Sequence, residues 1–325
     1  MNSKLNRRLM LAGAALSVTG PISVFGQVTY PNRPIRAIVP FAPSGGSDIV
    51  ARMFGPKLSE ALGQPLVIDN KGGVGGLLGM EMAARSPADG YTVLIMSDGF
   101  PALAATHKPS FDPMNSLVPV GQIALAPFGL TVHPSLPVNN VREFIDYARK
   151  NPGKLSYGSS GSGGLTHLIT EDFKRKASID LVHIPYKSTG AAMPDLLSGA
   201  VQVYVGSVPP LISQVQAKKL KLLAVTNEQR WPLWPDLPTI GETVKGFSAD
   251  PWFGLFVPKG TPAEVVSVLS SAITKARNAE QVRKVAADQG LLVKGGSSEE
   301  FTRIVKADYQ RWSQLVKVLN FKPEQ

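Results

Sequence analysis

The chain has 325 residues and no cysteine, and its 34 Lys and Arg residues against 24 Asp and Glu give a formal net charge of +10. Without cysteine it forms no disulfide bond, thiolate zinc site or iron–sulfur cluster, and no two of its four histidines have the spacing that places both imidazoles on one helix face. These counts predict no metal site. Only 18% of the residues are charged and no arginine-rich run occurs, so we also predict no nucleic-acid partner. At roughly 100 to 200 residues per domain, the length predicts two domains.

The first 26 residues have the three regions of a secretory signal peptide. Lys4, Arg7 and Arg8 precede an apolar run at residues 9–18, and small residues follow near a cleavage site at Gly26/Gln27. The apolar run is about half as long as a membrane-spanning helix. We therefore expect an exported, periplasmic protein, with the general secretory and twin-arginine routes both open.

Strand and helix patterns alternate along the rest of the chain. Short runs rich in β-branched residues predict strands at residues 35–39, 66–68, 92–96, 180–184 and 201–205. Apolar residues at helical spacing predict helices at residues 48–62, 77–85, 141–150, 165–176 and 191–198. This alternation predicts parallel strands joined by βαβ crossovers, in a doubly wound α/β architecture that is made twice.

Two apolar stretches flanked by proline, residues 121–132 and 250–257, are candidates for crossings between two lobes. If both cross, lobe 2 comprises residues 128–250 and is inserted into lobe 1, which comprises residues 27–127 plus 251–325. Such a two-strand hinge places a ligand cleft where the carboxyl ends of the strands of both lobes meet. Ser97, Ser207 and the pair Trp252–Phe253 are expected at the level of this cleft. A long terminal helix, with apolar positions from Phe301 onward, is expected to pack on the first sheet.

Three loops rich in glycine or serine precede predicted helices, at residues 43–48, 71–76 and 158–166. Glycine lets backbone N–H groups face a ligand, and a helix N-terminus adds about half a positive charge, so such loops bind anions without a charged side chain. Glycine also serves tight turns, which is the structural alternative for each loop. Neither a Walker loop nor a dinucleotide fingerprint is present, because Leu155 follows Gly153-Lys154 and Leu78 replaces the third glycine of the fingerprint.

A serine hydrolase is the alternative from another functional class. It would use Ser160 or Ser162 with His167, although the GSSGS run misses the nucleophile elbow by one position. A sensor for a membrane signalling partner is a third possibility, since it would share the fold and the site of a receptor.

Several runs of residues resemble one family over the whole mature chain. They are YPNRPIRAIVPFAP (30–43), NPGKLSYGS (151–159), HIPYK (183–187), LAVT (223–226), LPT (237–239) and WFGL (252–255). These motifs are similar to those of Bug-type receptors, the extracytoplasmic solute-binding proteins of tripartite tricarboxylate transporters. The resemblance implies a Venus flytrap fold like that of type II periplasmic binding proteins, with two α/β lobes, no catalysis and no cofactor.

The resemblance also implies a ligand and a partner. The ligand would be a small carboxylate, such as a di- or tricarboxylate, an acidic amino acid or an aromatic acid. The partner would be a membrane permease of the tripartite tricarboxylate type, and the receptor itself would be a monomer. Ser44 and Ser188 stand where the family commonly has glycine, and Gln202 replaces a frequent aspartate, which leaves the choice of acid open.

The candidate ligand-binding residues combine the loop argument with the resemblance. They are Phe41, Ala42, Ser44, Gly45, Gly46, Ser47, Asp48, Ser97, Ser159, Ser160, Gly161, Ser162, Gly163, Thr166, His167, Tyr186, Lys187, Ser188 and Ser207. We assign Asp48 to holding the first loop rather than to ligand contact, because an unpaired carboxylate beside an anion would repel it.

Overall fold

The structure is a computed structural model that describes residues 30–107, 109 and 111–322. The predicted signal peptide lies outside these residues. None of the helices in the described ranges is long and apolar enough to cross a membrane.

Within the described residues, ten strands form two five-stranded sheets, one in each lobe. Lobe 1 contains β1 (Ile35–Val39), β2 (Leu66–Asn70), β3 (Thr92–Ser97), β4 (Leu117–Leu125) and β10 (Trp252–Pro258). Lobe 2 contains β5 (Phe128–Val132), β6 (Ser156–Ser159), β7 (Val182–Pro185), β8 (Val203–Ser207) and β9 (Lys221–Val225). The strand orders are β2-β1-β3-β10-β4 and β7-β6-β8-β5-β9. The prediction of two α/β lobes is confirmed.

Helices follow most of the strands and cover the sheets. Those of lobe 1 are α1 (Gly46–Leu62), α2 (Leu77–Ala84), α3 (Gly99–Thr106), α4 (Pro113–Ser116), α9 (Ala263–Asn278) and α10 (Glu280–Asp288). Those of lobe 2 are α5 (Val141–Lys150), α6 (Leu165–Ala177), α7 (Thr189–Ser198) and α8 (Ile212–Gln216), and α11 (Ser298–Leu319) ends the chain. Most predicted elements therefore lie within a few residues of their observed positions.

The sheets are mixed, whereas the sequence predicts parallel strands. β10 runs antiparallel to β3 and β4, and β5 runs antiparallel to β8 and β9. Both are the first strands after a crossing from the other lobe. A strand that arrives from the other lobe begins at the cleft edge of the sheet, where its neighbours end, so it must run in the opposite direction.

Helix α11 packs on both lobes, so the prediction that it packs on the first sheet is right for its first half only. Phe301 and Val305 belong to a buried cluster with Trp252 of lobe 1. Trp312, three turns further along, is buried in the core of lobe 2 with Phe173. A helix of 22 residues is about 33 Å long, which is enough to span both cores.

Two chain segments connect the lobes side by side. Residues 126–127 join β4 to β5, residues 226–251 join β9 to β10, and the Ala126 amide donates to the Pro251 carbonyl across them (3.1 Å). The second segment also reaches lobe 1 through Trp231, whose indole N–H donates to the Gly290 carbonyl (2.8 Å). The first contact holds the two connections together, and the second attaches the longer connection to lobe 1.

Candidate ligand site

A narrow cavity of about 30 Å³ lies between the lobes. Lobe 1 lines it with Phe41, Gly45, Gly46, Ser47, Ser97 and Phe253, and lobe 2 with Phe128, Ser160, Ser188, Thr189 and Ser207. The lining thus offers six hydroxyl groups, three phenyl rings and no charged side chain. Because a pocket for a small organic ligand occupies a few hundred cubic ångströms, the lobes are closed here and must separate to admit one.

The amino ends of two helices meet at the cavity from opposite lobes. Gly45 is the N-cap of α1 in lobe 1, and Ser188 is the N-cap of α7 in lobe 2, where its hydroxyl accepts from the Ala191 amide (3.1 Å). A Cβ atom at Gly45 would lie 3.4 Å from Cβ of Ser188, so the two ends are nearly in contact. Each helix end carries about half a positive charge, and together they supply about one unit between the lobes.

One buried hydroxyl in the lining, that of Ser207, has no hydrogen-bond partner among the described residues. Ser207, at the end of β8, is only 3% exposed, and its Oγ forms no hydrogen bond with any other described residue. A buried polar group without a partner costs free energy, which a ligand group in the cavity can recover. The Ser207 hydroxyl is therefore available to an anion held between the helix ends.

Asp48 holds the first loop from behind. Its carboxylate accepts from the Ser44 amide (2.9 Å), from Nε of Arg52 (2.9 Å) and from Nδ2 of Asn70 (3.0 Å). Burial alone would raise the pKa of Asp48, but the hydrogen bonds from Arg52, Ser44 and Asn70 outweigh it and lower the pKa. The carboxylate thus fixes the conformation in which Gly45 and Gly46 face the cavity.

Asp48→Asn is expected to reduce the free energy of unfolding by about 1–3 kcal/mol, because it weakens several partly buried hydrogen bonds at once. The pKa of Asp48 is lower in the folded than in the unfolded chain, so its stabilisation is present above about pH 4 and is lost as the pH falls through the folded value. Denaturant unfolding of both proteins at neutral and acid pH should show the difference shrinking in acid. The exposed Asp180→Asn is the control, and a gap of constant size would contradict this role.

The glycines of the second and third loops contact the opposite lobe instead of lining the cavity, which the third loop lines only through Ser160. A Cβ atom at Gly161 would lie 2.5 Å from Cα of Gly75, and the Gly163 carbonyl accepts a hydrogen bond from Oγ1 of Thr106 (2.9 Å). Both contacts join lobe 2 to lobe 1. These glycines lie in the contact between the closed lobes and outside the cavity lining, and their role as ligand contacts stays a prediction.

Other predicted site residues support the third loop from below. Ser159 is fully buried, and its Oγ lies 2.7 Å from Nε2 of His183 and accepts from the Gly161 amide (3.2 Å). Oγ1 of Thr166 accepts from the Ser160 amide (2.8 Å). Because these side chains hold the loop backbone, they shape the position of Ser160 without lining the cavity.

His167 lies behind the same loop and also does not line the cavity. Its Nδ1 accepts from the Gly163 amide (3.1 Å), and its ring stacks on His183 with centroids 3.7 Å apart. Burial lowers the pKa of His167 to about 3, with smaller contributions from His183 and Lys174. The imidazole is therefore a neutral structural group.

This geometry does not favour the hydrolase alternative. The Ser160 hydroxyl lies 3.0 Å from Oγ1 of Thr166, and the Nδ1 atom of His167 is used by the loop amide. The pair that does form, Ser159 with His183, lies outside the cavity lining, and its serine is fully buried. Among the described residues there is also no group of three His, Asp or Glu side chains that could hold a metal ion.

The structure brings eight of the predicted residues to the cavity: Phe41, Gly45, Gly46, Ser47, Ser97, Ser160, Ser188 and Ser207. It places eleven outside the lining: Ala42, Ser44, Asp48, Ser159, Gly161, Ser162, Gly163, Thr166, His167, Tyr186 and Lys187. Tyr186 donates to the Asp195 carboxylate, and Lys187 is exposed.

Three lining residues are not among the candidates, although two carry a recognisable signal. Phe128 and Phe253 stand at the starts of β5 and β10, the strands that follow the predicted crossings, and Phe253 is expected near the cleft for that reason. Thr189 follows Ser188 and bonds to the Tyr204 hydroxyl (2.6 Å).

Comparison with known proteins identifies a family. The sequence model of the tripartite tricarboxylate transporter family receptor matches residues 50–321. Protein BugT of Bordetella pertussis (strain Tohama I) is 32% identical over 317 residues, which is 96% of this chain and 97% of BugT. The resemblance read from the sequence motifs is confirmed.

Solved structures of similar proteins agree with the assignment to this receptor family. The periplasmic binding protein BugD is 33% identical with a TM-score of 0.86, over 90% of this chain and 99% of BugD. Rpa4515 of R. palustris, solved with adipate, is 34% identical with a TM-score of 0.87, over 91% of this chain and all of that one. The fold is that of a two-lobe periplasmic binding protein.

Proposed function

Because the chain belongs to the tripartite tricarboxylate transporter receptor family, we propose that it is a periplasmic receptor for a small carboxylate. The acid binds between the lobes, and the closed complex delivers it to a membrane permease of the tripartite tricarboxylate type. The receptor acts as a monomer after its signal peptide is cleaved near Gly26/Gln27. Lobe 1 comprises residues 27–127 plus 251–325 and lobe 2 residues 128–250.

One observation carries this proposal: the helix N-termini at Gly45 and Ser188 face each other across the lobes beside the unpartnered Ser207 hydroxyl. Each lobe alone offers half of this environment. A carboxylate between them gains contacts with both helix ends only when the lobes are closed. That difference in affinity shifts the equilibrium from open to closed.

A carboxylate panel tests the binding step. Adipate, malate, glutamate and benzoate are titrated by thermal shift and calorimetry, with adipamide as the uncharged partner of adipate. At a free concentration 100 times its Kd, a bound acid should stabilise the protein by about 2.7 kcal/mol. Stabilisation by an acid but not by an amide supports the receptor, whereas ester turnover that disappears in Ser160→Ala would contradict it.

Delivery is tested separately with the permease in proteoliposomes. Labelled acid should enter only when both the liganded receptor and the permease are present. If the receptor binds the acid yet gives no uptake with any tripartite permease of its source, the sensor alternative replaces transport.

A further inference from the structure

A buried carboxyl group lies directly behind the cavity wall. Asp98 follows Ser97, a lining residue, and its backbone amide donates to the carbonyl of Trp252 (3.1 Å), next to the lining residue Phe253. Asp98 is 3% exposed, and its Oδ1 forms no hydrogen bond with any described residue. If this group were ionised, the closed lobes would enclose an uncompensated negative charge.

Asp98 lies near two acidic side chains and one basic side chain. Asp308 and Arg311 face it from α11, and Asp250 faces it from the segment that leads into β10. Oδ2 of Asp308 accepts from the indole N–H of Trp252 (2.6 Å). The Arg311 guanidinium, which opposes this negative charge, donates to a backbone carbonyl of the connecting segment.

The electrostatics agree with this arrangement. Burial raises the pKa of Asp98 well above its usual range, Asp308 and Asp250 raise it further, and Arg311 opposes them. The burial of Asp98, the absence of a partner for its Oδ1 among the described residues and its raised pKa all indicate that the carboxyl group is protonated.

We infer that Asp98 carries a proton in the folded protein at neutral pH, and that this proton is a condition for tight binding of an anion in the cavity. The second half of the inference rests on the proposed function. The two helix ends supply about one unit of positive charge to the cavity. An ionised Asp98 would oppose it from one residue behind the wall and weaken the binding of an anion by roughly tenfold.

Linkage makes this effect reciprocal. If ionisation of Asp98 weakens anion binding by about tenfold, then a bound anion raises the affinity of Asp98 for its proton by the same factor. Over the pH range in which Asp98 is partly ionised, the receptor takes up a fraction of a proton with each acid anion. The affinity for the acid therefore falls as the pH rises.

The first test needs no ligand. Thermal unfolding of the wild type, Asp98→Asn and the exposed control Asp180→Asn is followed from about pH 5 to 9. Because the folded-state pKa of Asp98 is raised, the stability gained by keeping it protonated is present at low pH and is lost as the pH rises through that value. Asp98→Asn should therefore gain stability relative to the wild type with rising pH, while Asp180→Asn runs parallel to it. A difference between Asp98→Asn and wild type that does not change with pH would overturn the inference.

A second variant keeps the test sharp if Asp98→Asn proves unstable throughout. Asp308→Asn removes one acidic neighbour, whose own pKa is raised by its burial, and leaves Asp98 in place. The pH at which the wild-type stability falls should then move down. A shift in the opposite direction, or none, would overturn the inference that neighbouring acidic groups keep Asp98 protonated.

The binding test uses adipate and malate in calorimetry, with buffers of different ionisation enthalpy. Wild-type affinity should fall by roughly tenfold across the titration of Asp98, with proton uptake on binding, whereas Asp98→Asn should bind equally at every pH without proton exchange. Affinity that is independent of pH in the wild type would overturn the coupling to anion binding. Failure of every acid to bind at any pH would count against the proposed function, while the ligand-free titration would still decide the protonation of Asp98.

Discussion

Gly46→Asp is expected to abolish carboxylate binding while leaving the protein folded. A Cβ atom at Gly46 would lie 2.6 Å from Oγ of Ser207 and 3.1 Å from the Phe253 ring, so any side chain there occupies the cavity itself. Aspartate adds a negative charge at the point where the acid is held. Acidic residues in the first turn stabilise a helix, so α1 itself does not lose stability from the charge.

Alanine substitutions separate the steric part of this effect. Gly46→Ala places a methyl group in the cavity, which should cost about 1–3 kcal/mol and weaken binding by roughly 10- to 100-fold. Gly55→Ala is the matched control in the same helix, because its Cβ atom would meet only the Ile68 side chain at 3.9 Å. Calorimetry with the best-bound acid of the panel should show similar affinities for the wild type and Gly55→Ala. The affinity should be lower for Gly46→Ala and lowest for Gly46→Asp. Unchanged affinity in Gly46→Ala would mean that the N-terminus of α1 is not part of the ligand site.

Most elements of the fold could be predicted because their signals are local. The run at residues 35–39 and the helical spacing that follows contain enough information to place β1 and α1. The antiparallel direction of β5 and β10 could not be predicted in the same way, since it depends on which edge of the sheet the chain reaches from the other lobe. For the same reason α11 could be predicted as a helix but not as one shared by both lobes.

The candidate site divides along a similar line. Glycine before a helix identifies backbone that can face an anion, and this signal found Gly45 and Gly46. It could not tell a loop that faces the cavity from one that faces another loop, so Gly161 and Gly163 were predicted as ligand contacts. Ser159 and His167 stay predictions as ligand contacts, and in the structure both accept hydrogen bonds from backbone amides of this loop, because a polar side chain beside such a loop can equally bond to the loop's own backbone.

The contact between the second and third glycine loops leads to the other large effect. Gly161→Ala is expected to prevent full closure, because its Cβ atom would lie 2.5 Å from Cα and 2.7 Å from the backbone nitrogen of Gly75. Backbone atoms cannot turn aside as a flexible side chain can, so the two loops must move apart. This cost falls on the closed state alone, since open lobes leave the methyl group free.

The size of the effect follows from the closing equilibrium. If the clash costs the closed state about 2 kcal/mol, the apparent affinity for the acid falls by roughly 30-fold, because only the closed form has both helix ends in place. Small-angle scattering should show a larger radius of gyration for the liganded variant than for the liganded wild type. Calorimetry on the same samples gives the loss of affinity.

Gly63→Ala controls for backbone strain. Gly63 also has a positive φ, +66°, and a Cβ atom there would meet nothing within 4 Å. Alanine at either position must adopt a conformation that favours glycine, so both variants should lose some stability. Only Gly161→Ala should lose affinity, because Gly63 ends α1 on the outside of lobe 1. Equal affinities in the two variants would mean that the glycine loops do not meet when the receptor closes on its acid. The affinity for the acid would then depend on the two helix ends and not on the contact between the loops.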